Sequence, residues 1–237
     1  MARHDWLLVV TLTVLYGCHA APERPALPDA EVRFPAEDYD QIDASHGRVF
    51  RLDEEASEVR IYVYRAGAFA ARGHNHVITA SALQGAVFVP TSGAGGARFD
   101  VVMAVDALAV DDADVRRSLG YTFGSEVTDV ARAGTRSNML GPGVLDAERY
   151  PLIGVTARAI AGELPKLVVT AAVTLRGVTR ELVVPVDVEA DKDRLVARGA
   201  LAIRQSEFGI DPFSALGGLL RVDDPVMVEF RLVGSSR

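Results

Sequence analysis

Cysteine is almost absent: among 237 residues only Cys18 occurs. One thiol permits neither an internal disulfide nor a cysteine-based metal site, so any folded domain must be held together by its core. Basic charge is also short, with 25 Lys and Arg against 32 Asp and Glu and a net charge of −7. No run of Lys or Arg appears, which argues against a nucleic-acid partner. An acidic surface favours solubility and keeps the chain off anionic membrane surfaces. GxSxG, Walker and GxGxxG motifs with the right flanks are missing, so no catalytic class is suggested. The apolar run at residues 7–16 is shorter than the ~20 residues a membrane-spanning helix needs.

That run is instead the length of a signal-peptide core. Residues 1–17 are expected to be a signal peptide of lipoprotein type, because the segment ends in Leu15-Tyr16-Gly17-Cys18, which resembles a bacterial lipobox. Cys18 is then the site of lipid attachment, and the protein belongs to the periplasm or cell envelope, held to the membrane by its N-terminal anchor. Tyr16 is bulkier than the usual small residue, so an ordinary cleaved leader is the alternative. Residues 18–44 are rich in proline and acids with little periodicity and are expected to form an extended tether.

From Val49 onward the dominant period is two. Val59, Ile61 and Val63 share one face of a strand, as do Phe99, Val101, Met103 and Val105. Further rows are Val169, Ala171 and Val173, then Val184 and Val186, then Ala197 and Leu201, and last Val228 and Phe230. Such alternation marks strands with one buried and one wet face. Arg176-Gly177 fits a hairpin turn, and Pro185, lacking an N–H, should lie at a bulge or sheet edge. Residues 111–140 break the period and predict one or two short helices. The class is all-β and antiparallel, a barrel or sandwich occupying residues 45–234.

Four segments in order carry a family resemblance: residues 140–151 (LGPGVLDAERYP), 173–180 (VTLRGVTR), 202–210 (AIRQSEFGI) and 224–230 (DPVMVEF). Together they resemble the YceI-like family over roughly residues 45–234. The resemblance implies a lipocalin-like barrel that holds a polyisoprenoid or other long apolar ligand, with the inward rows named above as cavity lining and with no cofactor required. Arg204, Glu207 and Phe208 match the family segment and are expected to fix a barrel corner.

A closed sheet of about eight strands leaves an interior that side chains fill or that holds one small ligand. Ala171, Ala197 and Gly199 either leave space or meet large residues across the barrel. A hydrocarbon ligand gains roughly 0.8 kcal/mol per buried methylene, so ten such groups give about 8 kcal/mol before association costs.

Residues 72–76 (RGHNH) are the one polar cluster that stands out. In an extended strand His74 and His76 face the same way. They could bind a metal or a haem iron, with a third ligand from elsewhere and His46 as the only further histidine available. The bland reading is local hydrogen bonding at a strand end. The acids at Asp111, Asp112 and Asp114 are expected to complement a helix dipole.

Overall fold

The structure is a computed structural model and describes residues 32–80 and 82–236. Residues 1–31, with the leader, Cys18 and the first part of the tether, lie outside the described residues. The described chain begins with α1 (Ala36–Asp40), β1 (Gly47–Leu52), β2 (Glu58–Val63), β3 (Arg65–Ala66), β4 (His76–Ala80), β5 (Leu83–Pro90), β6 (Arg98–Ala104) and β7 (Ala109–Val110). Two helices follow, α2 (Ala113–Ser118) and α3 (Asp129–Leu140), then β8 (Leu152–Glu163), β9 (Lys166–Leu175), β10 (Val178–Ala190), β11 (Arg194–Arg204), β12 (Ser214–Ala215), β13 (Leu220–Val222) and β14 (Pro225–Ser236).

Every ladder is antiparallel. The main sheet runs β1-β5-β6-β8-β9-β10-β11-β14, and β14 returns to pair with β1, which closes a barrel of eight strands. Opposite its long pairing with β11, the other edge of β14 serves two neighbours. Its first half pairs with β2 and only its last residues with β1, so β2, β4 and β7 extend the sheet as a wing. A small sheet of β12, β13 and β3 lies beside that wing.

The alternation read from the sequence becomes the inner and outer faces. Along β10, Leu182, Val184, Val186 and Val188 are buried while Glu181, Val183, Pro185 and Asp187 between them are exposed. Pro185 lies where the β10–β11 ladder stops: its last pair is Val186 with Gly199. A proline is tolerated there because, although it pairs with Val168 of β9, it lies beyond the end of the ladder to β11, where no amide donor is needed. Arg176 and Gly177, both at positive φ, make the two-residue turn between β9 and β10, the form whose twist suits a hairpin.

Helices α2 and α3 occupy the 111–140 insertion as expected. Asp112 caps α2, its carboxylate accepting from the amides of Asp114 and Val115, which satisfies two otherwise orphaned donors. Phe123, beyond α2, packs on the outer face of the wing against Tyr62 and Val77, with Val115 and Leu119 at the edge.

Two expectations are corrected. The later part of the tether is no extended strap: residues 36–40 form α1, and Tyr39 is 2 % exposed. Its hydroxyl donates to Asp100 Oδ2 at 2.8 Å, and the guanidinium groups of Arg51 and Arg98 lie over its ring. Burial first, then the Asp100 hydrogen bond, raises the Tyr39 phenol well above its usual value. The aromatic body explains the docking, since it hides apolar area while its hydroxyl keeps a partner. The second correction is Val105. The β6 strand ends at Ala104, and Val105 starts a single 3-10 turn whose first amide bonds Pro151 O at 2.9 Å. Val105 is buried in a cluster with Leu108 and Val110 and does not line the cavity.

Candidate functional site

The barrel encloses a cavity of about 300 Å³, at the small end of the range for ligand pockets. Among the described residues every lining side chain is apolar except Gln205. From the wing come Val59, Ile61 and Val63; from β6, Phe99, Val101 and Met103; from β9, Val169, Ala171 and Val173. Val184 and Val186 of β10, Ala197 and Leu201 of β11, and Val228 and Phe230 of β14 complete the ring. These are the inward rows of the sequence analysis, with Val105 alone missing. The strand period could not show the lining from outside the rows: Met139 of α3, Val144 and Leu145 of the following loop, and Ile210 beyond β11.

The small inward residues divide. Ala171 and Ala197 face the cavity. Gly199 instead makes room for its ladder partner Phe230: a Cβ there would stand 2.6 Å from the Phe230 ring and 2.9 Å from Pro185 O. Arg180 shares the inward row of β10 but lies outside the lining; its Nη1 donates to Thr179 O at 3.3 Å.

The two ends of the cavity differ. At one end the segments 140–151, 173–180 and 202–210 meet. Arg176 donates from Nη1 to Gly209 O at 2.7 Å and from Nη2 to Pro142 O at 3.0 Å, so one guanidinium ties three segments together. Tyr150 lies against Gly177. Asp224 accepts from the Ser206 amide and hydroxyl, both at 2.8 Å, and its carboxylate is 3.5 Å from Arg204. Phe208, fully buried, fills the corner. At the other end the lining runs out to Leu164 and Ala190, both exposed.

Away from the cavity lining, at the start of β4, stand His74 and His76. Their rings meet edge-on with centroids 4.6 Å apart. His76 Nδ1 is 2.6 Å from Asp111 Oδ2. Asp111, expected only to assist a helix dipole, is a buried hub. Its Oδ1 accepts from Arg116 Nη1 at 2.6 Å and from the Val77 amide at 3.0 Å. Burial would raise the Asp111 carboxyl, but the His76, Val77 and Arg116 contacts outweigh it and hold the group below its usual value. Burial, then the neighbouring His76, lowers the pKa of His74. His46 lies at the turn before β1, outside this cluster. The sequence held one clue to Asp111: Asp112 alone suffices to cap α2, so the acid before it was free for another partner.

The comparisons with known proteins agree with this architecture. Among solved structures, Burkholderia cenocepacia BcnA superposes with a TM-score of 0.58 at 19% identity, covering 77% of this chain and 98% of that one. A polyisoprenoid binding domain from Saccharophagus degradans, described as implicated in plant cell wall breakdown, gives 0.53 at 15% identity, over 79% of this chain and 98% of that one. The Campylobacter jejuni YCEI protein gives 0.50 at 12% identity, over 68% and 84%. No curated protein matches. A family model described as YceI-like domain matches residues 50–234. With the eight-stranded ring and the four family segments in place, the chain belongs to the YceI-like family.

Proposed function

We propose that this protein binds a long apolar lipid, of polyisoprenoid type, inside the barrel and acts as a carrier or scavenger in the cell envelope. The observation that carries the reading is the cavity of about 300 Å³, where Gln205 is the only polar lining side chain among the described residues. Such a lining selects against polar solutes, because each buried polar group without a partner costs free energy. It rewards hydrocarbon at roughly 0.8 kcal/mol per methylene buried. Among the described residues no acid, base or nucleophile lines the cavity, a lining that suits binding. A cavity of this size takes part of a long chain, and the exposed Leu164 and Ala190 offer a way out for the rest. The description of the Saccharophagus degradans domain as polyisoprenoid binding supports this choice of lipid. Anchoring through Cys18 belongs to the same proposal and places the barrel next to a membrane that supplies the ligand.

Native mass spectrometry of the full chain purified from cells tests the reading. The expected result is an apolar adduct that organic extraction removes and that an Ala171→Phe variant, with its cavity filled, no longer carries. A chain that always emerges empty and takes up no long-chain apolar probe overturns it.

A further inference from the structure

We propose that His74, His76 and Asp111 form a binding site for a divalent transition-metal cation, of the zinc type, at the edge of the wing. One donor atom from each residue lies within 4.8 Å of the other two. Two imidazoles and a carboxylate are a donor set that suits zinc and its neighbours in the first transition row.

The supporting structure gives each donor a reason to be where it is. Asp111 Oδ1 is occupied by Arg116 and by the Val77 amide. That leaves Oδ2, the atom facing His76, as the single ligating oxygen. Hydrogen bonds of this kind to a ligating carboxylate are the usual outer support of a metal site. Arg116 is itself fixed, donating to Asn75 O at 2.7 Å and to Ser125 O at 3.0 Å. Between the two histidines, Asn75 accepts from the Arg65 amide at 3.1 Å and donates to Thr122 O at 3.0 Å. The His-Asn-His segment is therefore clamped from both sides before any cation arrives.

A purely structural role explains His76, Asp111 and Arg116 but leaves His74 idle. Among the described residues His74 makes no hydrogen bond; its contact is the edge of the His76 ring. A half-buried imidazole held beside a second imidazole and a carboxylate, with its nitrogens uncommitted, is what a metal site requires. On binding, the cation takes the place of the proton between His76 Nδ1 and Asp111 Oδ2, the imidazole carrying its N–H on Nε2 instead, and Nδ1 and Oδ2, now 2.6 Å apart, separate to bracket the cation. The ring spacing excludes a haem held between the two histidines: centroids 4.6 Å apart leave no slot for a macrocycle between two axial imidazoles. Three protein ligands leave a further position open to water or to another oxygen ligand.

Isothermal titration of the chelator-treated full chain with Zn2+ tests the site. The expected result is one tight equivalent whose affinity falls by about 100-fold or more in His74→Ala and in His76→Ala. His74→Ala keeps its fold, since it removes only the contact with the His76 ring, and circular dichroism checks this. Co2+ then reports the ligands directly: the wild type gives the strong visible bands of a low-coordinate ion, and Asp111→Asn shifts or abolishes them. Affinity for Zn2+ that is unchanged in His74→Ala, or the absence of any saturable equivalent in the wild type, overturns the proposal. Neither result bears on lipid binding.

Discussion

The two ends of this barrel are built on different principles. At the end where Arg176, Tyr150, Phe208 and Asp224 meet, segments far apart in sequence are tied by side-chain hydrogen bonds and a fully buried aromatic ring. At the other end, around Leu164 and Ala190, the strands stop in short turns and the lining reaches solvent. The comparison teaches where the family pattern comes from. Three of the four resembling segments converge on the tied end, and the fourth begins at Asp224, which holds the Ser206 corner. The stretches that carry the family resemblance are thus the ones that tie one end of the barrel.

Truncation at the tied end should break this contrast most severely. Phe208→Ala leaves a hole at a fully buried site and is expected to cost about 3–5 kcal/mol, read as a lowered denaturation midpoint with unchanged m-value. If the loss is small, the corner is not what holds that end. Gly177→Ala comes next, at about 2 kcal/mol, because a side chain at its positive φ is strained and meets the Tyr150 ring. Adding Tyr150→Ala should return the clash component but not the backbone component, so the double variant in a thermodynamic cycle tells packing from conformation. The smallest stability effect belongs to the open end. Leu164→Glu, at a site 48% exposed, should change unfolding free energy by less than about 0.5 kcal/mol, yet slow uptake of an apolar fluorescent probe several-fold. Equal loss of stability at both ends would erase the distinction.

The wing shows a second contrast, between its faces. The paired Ile61 and Ile78 look onto the cavity, while the next pair along, Tyr62 and Val77, is covered by Phe123. Burial first, then a 2.6 Å hydrogen bond to Glu229, pushes the Tyr62 phenol up to about 12. One strand thus serves an apolar interior and a separate outer cluster, because successive side chains point to opposite faces.

Much of this was legible in the chain itself. Alternation at Val59-Ile61-Val63 or Val184-Val186 is a local signal, since a strand with one buried face must repeat every second residue. It therefore marked the rows that became the cavity wall. Where the signal failed, the deciding contact was distant. Val105 left its row because Pro151 O claims its amide. Tyr39 folded down because Asp100, Arg51 and Arg98 receive it. Gly199 turned out to hold space for Phe230 of the neighbouring strand, which no pattern along one strand can reveal.

By itself, then, the sequence determined strand identity, the inward faces, the Arg176-Gly177 turn and the family, all of which rest on short-range periodicity and turn chemistry. Only the tertiary structure decided that the barrel closes through β1 and β14, that its interior keeps about 300 Å³ of space, and that Asp111 meets His76 across 35 positions of chain. Those outcomes depend on how volumes and donors from separate strands come together, and that information is held by pairs of residues that are not neighbours in the chain.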